Sequence, residues 1–480
     1  MKFNYRKFSF PITCLILIGV FLGCSSPKKQ TPKHLSLSEQ NLLRSIQLAD
    51  SAFAAYFEGE EMKMARFYNP LTNSRSEEVG SIWMYTSAME AVDAIMHGLK
   101  LQHEHGNDSL YKEHFARFEN ILEKLYTNGD YYLGTFELTS YTQTNEWTVY
   151  GVNRGGAKGT AEVAGVMNVY DDQMWLAREL IEAYHLTGKK KFLEKAEYLT
   201  EYVLDGWDCT FDESGNENGG ITWGPGYVTK HSCSNGPMVS PLVWLSEIYD
   251  GAQDSITYRY IDDSDRQTRI SKSMSKSDYY LMFAKKVYNY QKDHLLRQDN
   301  VYADMMGGCT PGKPELEQVD GVTYRKGITC TDPVGAAISY NSGTMLSGGI
   351  DLLRVTKDQI YLEDVKVLSD SSFEYFTELD KDVTGYYSYE ITGFNGWFNG
   401  VLMRGYTDVY SENKRTGYYL DTFQQNLDYA YDHYLKKGIL PTNLLAGWNS
   451  DDQANNTEGM FSFARAAEYA VLSKYELDKE

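Results

Sequence analysis

"MNVYDDQMWLARELIEAYHLTG", residues 167–188, carries a helical period and an oddity. Leu176, Leu180, Ile181 and Tyr184 recur at helical spacing, and Gly188 stands where a C-cap glycine belongs. Yet the helix opens on two acids side by side, Asp171 and Asp172, between Tyr170 and Trp175. The same period repeats along the chain. It predicts helices near 38–57, 79–99, 108–127, 171–187, 189–205, 237–250, 276–294, 341–356, 358–377, 395–411, 418–436 and 457–476. Strand-like alternation is scarce and short. Between the helices run long loops rich in Gly, Asn and aromatic residues, at 129–169, 207–236, 296–340 and 380–394, and 252–275 reads as a polar surface insertion.

Twelve helices taken in pairs make six hairpins. Closed in a ring they form an all-α (α/α)6 toroid; left open they form a solenoid. No fixed repeat of about 34 residues is visible, which speaks against a regular solenoid. Loops this long within one domain are usually functional, and on one rim of a toroid they would build a cleft over the inner helices.

The 480 residues carry a formal net charge of −20, with the acids scattered rather than run together. No basic stripe is present, so nucleic acid is excluded as a partner. Aromatic residues reach 14%, with 39 Tyr and 8 Trp. Such rings join a flat apolar face to a polar edge, which suits a neutral sugar polymer.

Lys2, Arg6 and Lys7 followed by the apolar run Phe10–Leu22 read as a signal peptide over 1–23. It ends in "VFLGCSS", which resembles a bacterial lipobox and implies lipid on Cys24. Residues 24–36 then read as a tether and 37–480 as the catalytic domain. The expectation is an outer-membrane lipoprotein, facing either the cell surface or the periplasm. Of the remaining cysteines, Cys209, Cys233, Cys309 and Cys330 allow three pairings. The nearest-neighbour one, 209–233 with 309–330, is the expectation, against buried free thiols. No Cys/His spacing suggests a metal, and no cofactor is called for.

Adjacent aspartates on a helix can hold their carboxyls about 5 Å apart, near the roughly 5–5.5 Å of a retaining glycosidase and short of the 6.5–9.5 Å that an inverting one needs for its water. The positive end of the helix suits a carboxylate nucleophile. A neighbouring like charge and burial raise the partner's pKa, which suits an acid. The plain alternative is helix capping. Two further doublets, Asp262-Asp263 and Asp451-Asp452, lack the apolar surroundings: the first reads as solvated, the second as capping or cleft lining.

Several stretches follow one another in the order of a known family. "YDDQMW" with its helix, "GGITWGP" (219–225), "KHSCSNGPMVSPLVWLSEIY" (230–249), "ISYNSGTMLSGGIDLLRVT" (338–356), "FNGWFNGVLMRGY" (394–406) and "NTEGMFSFARAAEY" (456–469) resemble glycoside hydrolase family 76, the endo-α-1,6-mannanases, from about 80 to 470. The resemblance implies the (α/α)6 toroid and metal-free retaining cleavage of α-1,6-mannosidic bonds in α-mannan or mannooligosaccharides. By motif position Asp171 is implied as nucleophile and Asp172 as general acid/base. Trp223 and Trp397 are candidates to stack on sugar faces, Asn235 and Asn341 to hold hydroxyls, and Tyr170 and Tyr340 to hydrogen-bond sugar or aspartate. Asp332 is a third carboxylate near a motif, His231 reads equally as structural or sugar-binding, and Lys230 as a solvated charge. Two rival readings remain: an (α/α)6 glycosidase of other specificity, and a non-catalytic glycan-binding lipoprotein, which needs aromatic platforms but no paired acids.

Overall fold

In a computed structural model of the chain, the structure describes residues 35–479. The signal segment, Cys24 and nearly all of the tether lie outside the described residues. Among the described residues there are twelve α-helices: α1 (Leu37–Tyr56), α2 (Ile82–Glu104), α3 (Asp108–Gly129), α4 (Tyr170–Thr187), α5 (Lys190–Asp205), α6 (Val239–Ile248), α7 (Lys276–Leu295), α8 (Ser339–Thr356), α9 (Gln359–Phe376), α10 (Asn395–Val409), α11 (Thr416–Tyr434) and α12 (Gly459–Asp478). Each falls within a few residues of its expected span.

The even-numbered helices pack in a circle, α2 on α4, α4 on α6, α6 on α8, α8 on α10, α10 on α12 and α12 back on α2. The odd-numbered ones pack outside, α1 on α12, α3 on α2, α5 on α4, α7 on α6, α9 on α8 and α11 on α10. This is the closed (α/α)6 toroid and not the open solenoid.

Sequence explains which helices go inside. α12 buries nearly every residue from Gly459 to Tyr475, whereas α3 buries only one face through Leu110, Phe118, Leu122 and Leu125. A helix apolar on one stripe can cover a ring but not sit within it. Small residues let inner neighbours close up. A Cβ on Gly343 of α8 would stand 2.5 Å from the Val401 carbonyl oxygen of α10, and one on Gly405 would meet the Gly343 oxygen at 2.7 Å.

The inner helices run parallel. First-turn side chains of α2, α8 and α10 meet in one aromatic cluster, and Trp175 of α4 joins it through Trp397. The last turns of all six line a cavity of about 990 Å³ at the other end. Charges lie buried between. Arg404 pairs with Glu90, Arg178 with Glu179, and Arg465 with Glu468 at 2.7 Å. Such pairs are costly to break one side at a time.

The loops carry short antiparallel strands. Leu133–Thr139 pairs with Thr144–Tyr150, and a small sheet joins Lys230–His231, Met305–Gly307 and Asp332–Val334. The expected polar insertion is a hairpin, Ser255–Ile261 with Arg269–Ser275. Cys309 and Cys330 are disulfide-bonded, as expected. The expected 209–233 pairing is corrected: both are free thiols. Cys233 stands beside Asp171 and Tyr340, and Cys209 lines a cavity on the outer wall, so the two serve different surroundings.

Candidate active site

The Asp171-Asp172 doublet does not cap α4. Val169 is the N-cap and offers no side-chain bond, so the acids occupy the second and third helical positions. Gly188, at φ 69°, ends the helix in the left-handed conformation as expected. Asp171 is half-buried and Asp172 is 7% exposed.

Their surroundings differ. Burial pushes the Asp171 carboxyl up to about 7, against the Cys233 thiol and the Trp175 and Trp223 indoles, which pull it back down. Trp175 donates from Nε1 to Asp171 Oδ1 at 2.9 Å, one turn along the same helix. Trp223 faces the carboxylate, although its buried Nε1 stops short of a formed hydrogen bond. Asp172 is pushed well above the usual carboxylate range, by burial first and by the Asp171 charge second. One acid is therefore cradled by donors, which favour its charged form, while the other has only influences that favour its proton.

The neighbouring loop is tied to α4 by its backbone. The Tyr170 N–H donates to the Trp223 carbonyl at 2.8 Å, which seats Trp223 beside the doublet. The turn that carries Cys233 is held by Asn235. Its Oδ1 accepts from the Ile221 N–H at 2.9 Å, and its Nδ2 donates to the Ile221 and His231 carbonyls at 3.0 and 2.7 Å. Opposite, Tyr340 lays its ring on Phe398 (4.3 Å, 18°), with its hydroxyl near Cys233 and Asp171.

Of the expected residues, Asp171, Asp172, Trp223 and Tyr340 come together. The other four are corrected, because their side chains are closed off from a sugar. Tyr170 packs on Tyr202, with ring centroids 5.0 Å apart. Asn235 spends its amide on the turn just described. Asn341 is wholly enclosed, with neither amide atom partnered. Trp397 is 3% exposed, stands edge-on behind Trp175 (4.8 Å) and donates to Glu90 at 2.8 Å. These residues support the site from behind.

Two secondary expectations also change. Lys230 is buried, not solvated, bridging Asp208 (2.9 Å) and the Gly219 and Ile328 carbonyls (2.6 and 2.7 Å). Asp332 is exposed on its short strand. The third carboxylate at the site is instead Asp304, whose carboxyl burial raises and whose charge reaches Asp171, Cys233 and Tyr340. His231 lies 3.9 Å from Asp304 and 5.1 Å from the Trp223 ring, and burial pushes it down to about 4, so it is neutral. Asp304 carries no local motif. The pairing of Met305 with His231, and the Ser232 N–H donating to the Asp304 carbonyl at 2.8 Å, bring it to the cleft.

A family model described as glycosyl hydrolase family 76 matches residues 154–253 and 268–474, more than half the chain. Among solved structures, a family 76 glycoside hydrolase (mannosidase) from Bacteroides thetaiotaomicron VPI-5482 superposes with TM-score 0.63 at 18% identity, over 92% of this chain and 100% of that one. The family 76 α-mannanase BT2949 of the same species gives TM-score 0.62 at 16% identity, covering 92% and 97%. An inactive variant of an α-1,6-mannanase from Salegentibacter sp. HEL1_6, with two consecutive aspartates replaced by asparagine and α-1,6-mannotriose bound, gives TM-score 0.57 at 16% identity, covering 91% and 99%. No curated protein sequence matches the chain.

Proposed function

The chain belongs to glycoside hydrolase family 76, and from that premise we propose that it is a retaining endo-α-1,6-mannanase with Asp171 as nucleophile and Asp172 as general acid/base. The observation that carries the reading is the unequal cradle of the doublet: donors around Asp171, and only burial and a like charge around Asp172.

In the first step an Asp171 oxygen bonds to the anomeric carbon of a mannose. The bond from that carbon to the leaving O6 breaks, and O6 takes the Asp172 proton. A mannosyl ester remains on Asp171 and a carboxylate on Asp172. In the second step Asp172 takes a proton from water, whose oxygen bonds to the anomeric carbon, and the ester electrons return to Asp171. Two inversions restore the α configuration. Trp175 holds the Asp171 carboxylate in one orientation, and Trp223 and Tyr340 frame the space above it. The Salegentibacter relative supports the reading, since its two replaced aspartates are consecutive and the variant is inactive with α-1,6-mannotriose bound. Lipid on Cys24 and attachment to an outer membrane, facing the surface or the periplasm, belong to the same proposal and rest on the sequence alone.

The test is product analysis on debranched α-1,6-mannan, with Asp171→Ala and Asp172→Ala in parallel and the anomeric form of the first product read by NMR. Mannooligosaccharides of several lengths, α on release and absent with either variant, are the expected outcome. A β product would overturn retention. Release of mannose alone would overturn endo action. Intact polymer retained on a mannan gel would favour a glycan-binding protein.

A further inference from the structure

A second cavity, of about 790 Å³, lies on the outer wall between α5, α7 and the Ser255–Ser275 hairpin. That volume is within the ordinary range for ligand sites. Neither Asp171 nor Asp172 lines it. Tyr202 stands between the two places, with its ring 5.3 Å from Trp147 on the cavity side and 5.0 Å from Tyr170, the residue before Asp171.

We propose that this outer cavity is a second saccharide-binding site, which holds a stretch of the neutral mannan chain while another stretch occupies the Asp171-Asp172 cleft. The proposal rests on the mannanase reading for the identity of the sugar.

Four observations carry it. Rings from four separate elements converge on the cavity: Trp147, Trp207, Tyr258, Tyr260, Tyr279 and Phe283. The hairpin alternates to make this so, with Ile256, Tyr258 and Tyr260 half-buried and Ser255, Thr257 and Arg259 exposed. Next, the walls offer amides from Gln143 and Asn145; Gln143 donates to Asp205 Oδ1 at 2.9 Å, and the Trp147 indole faces the same carboxyl. Rings plus amides and a carboxyl are the chemistry that recognises a hydroxylated ring.

Charge is the third observation. Glu201, Asp205, Glu217 and Asp263 are opposed by Arg259, Lys272 and Lys286, and Lys286 bridges to Glu217 at 2.8 Å, so neither a polyanion nor a polycation is favoured. Finally, the family model leaves out residues 254–267, the whole of the first strand and most of the turn of this hairpin. That wall of the cavity thus lies outside the segments that match the family model. A second site on one polymer raises the effective concentration of chain at the first.

The experiment compares the whole protein with a Tyr258→Ala/Tyr260→Ala variant on two substrates, α-1,6-mannan polymer and α-1,6-mannotetraose. The tetraose, which must sit in the Asp171-Asp172 cleft to be cleaved, reports on that cleft. The expected result is a KM on polymer raised about 5- to 20-fold, with kcat on polymer and kcat/KM on the tetraose unchanged within twofold. An unchanged polymer KM in a variant with native circular dichroism overturns the proposal. An equal loss on both substrates also overturns it, since the hairpin would then act through the catalytic cleft. If the double variant does not fold, Asn145→Ala, which leaves the hairpin intact, is held to the same two outcomes. A parallel arm measures retardation of Asp172→Asn protein in gels containing α-1,6-mannan or dextran, with and without the tyrosine changes. Retardation by mannan that the tyrosine changes weaken supports the site even if wild-type enzyme cleaves neither substrate, a failure that would fall on the mannanase reading alone. Retardation by dextran only overturns the assignment to mannan.

Discussion

Asp171-Asp172 and Asp451-Asp452 are the same dipeptide, each close to a tryptophan. The first pair is packed among Trp175, Trp223 and Cys233, and both of its carboxyls are pushed up by burial. The second sits exposed on a short 3-10 turn, where Asp451 accepts from the Gln453 N–H at 3.1 Å and only shapes the local backbone. The lesson is that sequence places charge, while solvent exclusion decides whether that charge does chemistry or caps a turn.

The largest break in this comparison comes from exchanging the acids. Asp171→Asn or Asp172→Asn is expected to lower kcat on α-1,6-mannan about 10⁴-fold or more, whereas Asp451→Asn and Asp452→Asn stay within twofold. Initial rates at matched protein concentration decide it, and comparable losses in both pairs would erase the distinction.

Removing the donor is next. Trp175→Phe keeps the ring and loses the N–H, a charged hydrogen bond worth about 1.5–3 kcal/mol, or one to two powers of ten in rate. Because that donor lowers the Asp171 pKa, the acid limb of the pH–rate profile should also move to higher pH. A rate loss without that movement would mean the indole acts by shape alone.

The wild-type profile sharpens the comparison further. Asp171 must be a carboxylate, and its pKa is raised to about 7, so its active form is present above that pH and lost below it. Asp172 must hold its proton, and its pKa lies well above the usual range, so activity falls only at higher pH. Between pH 7.5 and 6 the rate should drop roughly tenfold or less, following one ionisation. A profile flat from pH 5 to 8 would contradict the burial of Asp171.

The smallest effect is on the exposed pair. Asp451→Ala removes a cap worth at most about 1 kcal/mol, so thermal unfolding should shift slightly while kcat stays constant.

The twelve helices were legible because each must bury a stripe against the ring, and that stripe repeats every three or four residues. The doublet was legible because aromatic neighbours set it apart. Trp397, Asn235 and Lys230 were misjudged for one reason: a motif marks nearness to a site but not which side of the wall a side chain faces. Asp304 was invisible, since it reaches the cleft through strand pairing across more than seventy residues of sequence. The 255–275 hairpin read as polar because its exposed face is Ser, Thr, Arg and Lys, although Ile256, Tyr258 and Tyr260 alternate at strand spacing.

The ring is shut by its last helix. α12 packs on both α1 and α2, and Ser38 donates to the Ser473 carbonyl at 2.7 Å across 435 residues. Closing a loop of that length is slow, and its entropic cost comes before any contact rewards it. A growing chain therefore carries the doublet through most of its synthesis beside an unclosed seam, with the inner faces of α2 and α10 uncovered. Losing the final twenty residues should do more harm than an equal deletion in a rim loop. Joining the ends of the ring and cutting it elsewhere should do little, because the two ends already lie side by side.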